Sequence, residues 1–187
     1  AGYVTASGSH FGQYVNIDGD EFKDNILKIK QYRGVAMHPE VDAAIEDIVN
    51  ESVSIADDGS TVSINMDNVK VSDKIKNNIT EEFQNICVML KFNELGHDIF
   101  RRWYVDGRIY HHLVVNEANI KMGIQDIRPI DATKIRKVKE IKKKKDPVTG
   151  AELIEKVDEH FIYQEKPGQT KQGVKLTPDA VSYVTSG

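Results

Sequence analysis

The chain has 187 residues, 40% of them hydrophobic and 29% charged, the make-up of a soluble globular protein long enough to bury a core. Twenty-five basic residues against 29 acidic ones give a net charge of -4, which excludes a generally basic nucleic-acid coat but not a local basic patch. No run of about 18 apolar residues is present to span a membrane, and the single cysteine, Cys87, excludes an internal disulfide framework and a Cys-based zinc site.

Residues 1–20 read as an arm. Gly2, Gly8, Gly12 and Gly19 are spread through it, and Tyr3, Val4, Phe11, Tyr14 and Val15 follow neither a helical nor a strand period. The rest, 21–187, reads as one domain with a helical part (21–107) and a β part (108–187). Asp20 is placed to cap a first helix that carries Phe22, Ile26, Leu27 and Ile29 and fades near Gly34. Pro39 suits the first position of a second helix, whose stripe is Val41, Ala44, Ile45, Ile48 and Val49. Asp57-Asp58-Gly59 is turn chemistry, and Thr61 to Met66 alternates like a short strand. Ser72 and Asp73 open a third helix with Ile75, Ile79, Phe83, Ile86 and Leu90 on one face. Cys87 lies beside that stripe and reads as a small core residue. Asn93 to Gly96 interrupts the helix. A fourth helix then carries Leu95, Ile99, Phe100 and Trp103 and stops at Asp106-Gly107.

Strands follow. Arg108 to Val115 and Gly123 to Pro129 read as extended, and Asp131 to Thr133 as a turn. Ile135 to Ile141 and Glu152 to Tyr163 form the arms of a long hairpin around the turn residues Pro147 to Gly150. Gly168 to Gly173 is loop-like, and Ala180 to Thr185 closes as a strand. Helices first and strands after argue α+β, with amino-terminal helices packed on a mostly antiparallel β region. The expected core includes Ile45, Ile48, Ile79, Phe83, Ile86, Leu90, Ile99 and Trp103, the last as a packing anchor.

The sequence gives chemistry little to work with. No glycine-rich dinucleotide fingerprint or phosphate loop is present, and Gly8-Ser9-His10-Phe11-Gly12 has no strand before it. His111 and His112 are neighbours on a strand, so they face opposite sides and do not chelate one ion together. One is expected toward the core and the other toward solvent or an interface. His10, His38, His97 and His160 have no ligand spacing. Asn16 to Asp20 is similar to a calcium loop, but Tyr14 and Asn25 stand where the first acidic ligand and the closing glutamate belong. No nucleophile motif is visible, and no catalytic residue, metal or cofactor is assigned. Asn50-Glu51-Ser52 and Asn78-Ile79-Thr80 match the glycosylation pattern, which carries no weight without a secretory leader. Arg101 and Arg102 are expected to pair with acidic groups.

One charge feature is pronounced. Lys134, Arg136, Lys137, Lys139, Lys142, Lys143, Lys144 and Lys145 fall within a dozen positions, opposed only by Glu140. Removing these nine residues takes the net charge from -4 to -11. The functional reading is an electrostatic contact to DNA or to an acidic neighbouring subunit. The bland reading is a solvated hairpin tip whose lysines protect an edge strand. Scarce arginine and absent aromatics weigh against direct DNA contact. A DNA-binding module using this hairpin is the alternative function, and an enzyme with a dispersed site is a third.

Several segments together resemble the portal proteins of T-even-type tailed bacteriophages. They are Phe100 to His111, Gly123-Ile124, Ile127 to Asp131, Lys134 to Val138, Glu159 to Tyr163 and Leu176 to Val181, with Val41 to Ser52 and Val71 to Phe92 upstream. The resemblance covers residues 35 to 187, and its specificity lies in the shared order and spacing. It implies a non-enzymatic head–tail connector, a ring (usually a dodecamer) at one capsid vertex of the virion, assembled in the host cytoplasm. Double-stranded DNA would pass through the ring in packaging and ejection, and terminase, neck proteins and capsid would be its partners. The match is to the peripheral wing, without stem, clip or crown, so the chain reads as a piece of a longer protein.

Overall fold

The structure, a computed structural model, describes residues 4–5, 13–15, 19–56, 59–145, 152–166 and 173–186. In chain order its elements are β1 (Val4–Thr5), β2 (Gln13–Val15), α1 (Gly19–Val35), α2 (Pro39–Ser52), α3 (Asp73–Met89) and α4 (Phe92–Asp106). Then come β3 (Arg108–Val115), β4 (Ile124–Ile130), β5 (Ile135–Lys145), β6 (Glu152–Tyr163), β7 (Val174–Leu176) and β8 (Val181–Thr185). Single 3-10 turns lie at Ile120–Met122 and Pro178–Ala180. Four helices precede most of the strands, and the fold is α+β as the sequence indicates. The chain divides into two compact units.

The sheet unit takes residues 1–31, 109–112 and 129–184. Its five strands are ordered β1-β2-β5-β6-β7, antiparallel throughout. The hairpin at its centre starts from a local turn: Asp131 Oδ1 accepts hydrogen bonds from the Thr133 N–H at 2.8 Å and from Thr133 Oγ1 at 2.6 Å. The Lys134 N–H donates to the Asp131 carbonyl at 2.9 Å. This side-chain mimic of a backbone turn is what Asp does well, and it sets the register that puts Ile135 opposite Tyr163. Ile135 then joins Ile29, Tyr110, Ala132, Phe161 and Val181 in the core. Tyr110 stacks on Tyr183 with centroids 4.7 Å apart and meets Phe161 edge-on at 6.2 Å. Val138 is also buried, at 4% exposure. Three residues from Ile135 on a strand, it faces the other way, so both faces of the hairpin's root are covered.

The helical unit takes residues 32–108, 113–128 and 185–187. His38 is extended (φ -72, ψ 132), as a residue before proline prefers, and Pro39 then opens α2. The inner face of α2 packs Ile45 and Val49 against Ala36, with Val41, Phe100 and Val105 around them. α4 ends at Gly107, left-handed at φ 69, the conformation in which glycine terminates helices without strain. The Gly107 carbonyl accepts from the Ser186 N–H at 2.9 Å. The second sheet has the order β4-β3-β8.

Several expectations need correcting. Residues 1–20 contain two short strands, β1 and β2, with β2 paired to β5; they take their order from β5, not from a pattern of their own. Thr61 to Met66 is not a strand: Val62 and Ile64 are 40% and 36% exposed, and among the described residues no neighbour supplies a ladder. The break between the third and fourth helices falls at Leu90-Lys91, where Lys91 is left-handed at φ 49, and α4 runs through Asn93 and Gly96. Gly96 serves packing. A Cβ there would stand 3.0 Å from the Phe92 ring and 3.3 Å from Val53 Cγ1. Ile48, Ile79 and Ile86, expected in the core, are exposed, and Phe83, Leu90, Ile99 and Trp103 are half-buried. His111 and His112 are both half-buried. β7 had no sequence signal. The turn at 147–150, most of the loop at 168–173, the segment 8–12 and residues 16–18 of the calcium-like segment lie outside the described residues.

Candidate functional site

The eight basic residues singled out in the sequence are distributed along one strand. Lys134 closes the turn before β5, and Arg136, Lys137, Lys139 and Lys142 to Lys145 lie on β5 itself. Near the root the charge is answered inside the hairpin. Glu159 on β6 stands opposite Lys139, and its carboxylate lies 2.6 Å from Lys137 Nζ and 3.7 Å from Lys139 Nζ. The hydrogen bond from Lys137, reinforced by its charge and by Lys139, holds the Glu159 carboxyl below the ordinary glutamate value. Toward the tip the register changes. Lys142 is opposite Lys156, the strand bulges between Lys142 and Lys143, and Lys143, Lys144 and Lys145 face Ile154, Leu153 and Glu152. The structure thus places seven of these residues on one strand with Lys134 just before it, and near the root Glu159 contacts both Lys137 and Lys139.

The helical unit holds a second polar feature. Arg101 Nε lies 2.9 Å from Glu46 Oε1, Arg101 Nη2 pairs with Asp42, and His97 Nε2 lies 3.2 Å from Glu46 Oε2. Asp42 and Glu46 are four apart on α2, and His97 and Arg101 four apart on α4, so each pair shares one side of its helix. Arg101 thereby finds the acidic partners expected of it, whereas Arg102 is exposed without one among the described residues. A second clamp joins Arg33 to Asp106, with Nε and Nη2 donating to the two carboxylate oxygens at 2.8 and 2.6 Å. The Asp106 side chain is 2% exposed. Sequence reading missed this pair, because 73 residues separate its members. Trp103 packs on Phe100 at 5.4 Å, consistent with an anchoring role.

Between α3, α4 and the segment around Val62 lies a groove of about 700 Å³, whose apolar lining includes Val62, Ile64, Phe83, Cys87, Val88 and Phe92. Cys87 is half-buried there, and burial pushes its thiol above the ordinary value. Among the described residues no three His, Cys, Asp or Glu side chains are grouped to hold a metal ion. No described helix is long and apolar enough to cross a membrane. The described surface carries ion pairs and exposed apolar side chains.

The family model described as "Bacteriophage T4-like portal protein (Gp20)" matches residues 25–187. A portal protein of Vibrio phage KVP40 is 32% identical over 169 residues, covering 85% of this chain and 32% of that protein. A portal protein of Salmonella phage ViI is 30% identical over 161 residues, covering 86% of this chain and 28% of that protein. The chain therefore spans less than one third of the length of either relative. With a match reaching from α1 to the end of β8, the chain belongs to the T4-like bacteriophage portal protein family.

Proposed function

We propose that these residues form the peripheral wing of a portal subunit. The subunits would close into a ring at one capsid vertex, serve as the conduit for DNA packaging and ejection, and dock terminase and neck proteins. The observation that carries this reading is the family match over residues 25–187. The physical character of the chain supports it. A conduit needs stiffness and self-association rather than a reactive pocket. Closed rings arise when one face of a subunit meets a different face of the next, and here the basic strand β5 and the helical unit offer surfaces of different chemistry. On this reading the chain has no catalytic role, and channel and motor contacts belong to other parts of the subunit.

Native mass spectrometry of the full-length protein tests the proposal. The expected result is a closed ring, about twelve subunits in the usual form of such assemblies. A stable monomer or dimer would reject it.

A further inference from the structure

We propose that Thr61 to Met66 is a strand without its partner, and that in the assembled protein it adds to the open edge of β8 in a second copy of this chain. The inference rests on the ring reading above and supplies one of its contacts.

Thr61-Val62-Ser63-Ile64-Asn65-Met66 alternates polar and apolar residues, the pattern of a half-buried strand. Yet Val62 to Met66 take no helix, turn or ladder. Among the described residues, the N–H and carbonyl groups of Val62, Ser63, Ile64 and Asn65 make no hydrogen bond to other backbone. Side chains fix the two ends of the segment. Thr61 Oγ1 donates to Asn93 Oδ1 at 3.0 Å, and Asn65 Oδ1 accepts from the Asp67 N–H at 2.8 Å. Val62, Ser63 and Ile64 line the groove beside α3. Unfilled main-chain groups next to an apolar recess are the two things that strand addition uses: the backbone gives affinity, and the recess receives alternate side chains.

The chain also contains a matching strand. Among the described residues the two sheets end in β1, β7, β4 and β8. β1 has two residues and β7 three, too short to seat the segment. β4 carries Pro129, and its Asp126 and Arg128 form an exposed ion pair at 2.7 Å; proline and charge are the usual guards that keep an edge from pairing. β8, Val181-Ser182-Tyr183-Val184-Thr185, has five residues, no charge and no proline, and its last three residues are exposed. β3 takes one side of it. At about 3.3 Å per residue, β8 runs about 17 Å and the segment about 20 Å. The two therefore match in length, and neither carries a charge to repel the other. Thr61 to Met66 belongs to the helical unit, and β8 as far as Val184 to the sheet unit. Joining them between copies brings unlike surfaces together, so the contact repeats from subunit to subunit around a ring. Pairing of the segment with itself would close a two-fold dimer and stop there.

The test uses the full-length protein. Ser63→Pro and Ile64→Pro each remove one N–H, and successive N–H groups of a strand point to opposite edges. Because β8 adds along one edge, one of the two prolines should lower the ring fraction about tenfold in native mass spectrometry and the other should be tolerated. Ile64→Ala, which keeps the backbone, controls for the lost side chain. Photo-crosslinking locates the partner without depending on the proline variants. Light copies carrying Ser63→p-benzoylphenylalanine, mixed with an excess of isotopically heavy wild type, should capture the heavy peptide that contains β8. A ring indifferent to both prolines, or lost equally with both, overturns the contact and leaves the ring reading standing. So does capture of the heavy Thr61–Met66 peptide, of a light peptide from the same copy, or of a part of the protein outside this chain. A wild-type protein that stays monomeric overturns the ring reading and this contact with it.

Discussion

α2 and α3 are both amphipathic, and they meet different fates. α2 buries Ile45 and Val49 against α4 and Ala36. α3, three residues longer, has no buried residue, and Ile75, Ile79 and Ile86 on its apolar stripe are 48%, 38% and 37% exposed. Periodicity tells which way an apolar face points; whether anything covers it depends on the rest of the chain or on another chain. The stripe of α2 meets a helix that returns alongside it. Of the α3 stripe, Phe83 lines an open groove, while Ile75, Ile79 and Ile86 stay exposed.

The contrast can be broken by truncation. Ile45→Ala should cost about 3 kcal/mol of unfolding free energy, as a buried isoleucine does, and Ile79→Ala less than about 1 kcal/mol. Denaturant melts of the two variants decide it, and equal losses would mean that α3 is as deeply packed as α2. The polar side of the same unit comes next. Asp106→Asn should lose about 2 kcal/mol, because it removes the charge from a buried bidentate clamp while Arg33, 37% exposed, keeps some access to water. Lys91→Gly should move stability the other way by about 0.5–1 kcal/mol, since the left-handed junction between α3 and α4 strains any residue with a Cβ; a loss on calorimetric melting would show that the lysine side chain matters more than its backbone.

The smallest effect belongs to the hairpin. The Glu159 carboxyl is held below the ordinary glutamate value of 4.5 by Lys137. A carboxyl with a depressed folded value contributes stability above its unfolded value and loses it as pH falls through the folded one. Acidification below the usual carboxylate range should therefore weaken β5–β6 pairing, and Glu159→Gln should remove that pH dependence. Amide exchange along β5 at neutral and acid pH reads both.

The fold class, the starts of α2 and α3 and the β5–β6 hairpin were legible in the sequence, because each has a local cause: Pro39 at the start of α2, Ser72 before α3, Asp131 before β5. Asp20, expected to cap the first helix, lies inside α1 instead. What escaped was decided at a distance. β1 and β2 depend on β5, and Arg33 finds Asp106 across most of the helical unit. The basic strand was recognised as a charge feature, but the contact of Glu159 with Lys137 and Lys139 near its root depends on register, which composition does not record.

The one thiol of the chain lies inside the groove beside α3, and that gives the molecule a built-in reporter. Within this chain a thiol-reactive label modifies a single atom, slowed because burial raises the thiol above its ordinary value. Whatever fills the groove changes the rate at Cys87, which peptide mass spectrometry can follow separately from any other thiol.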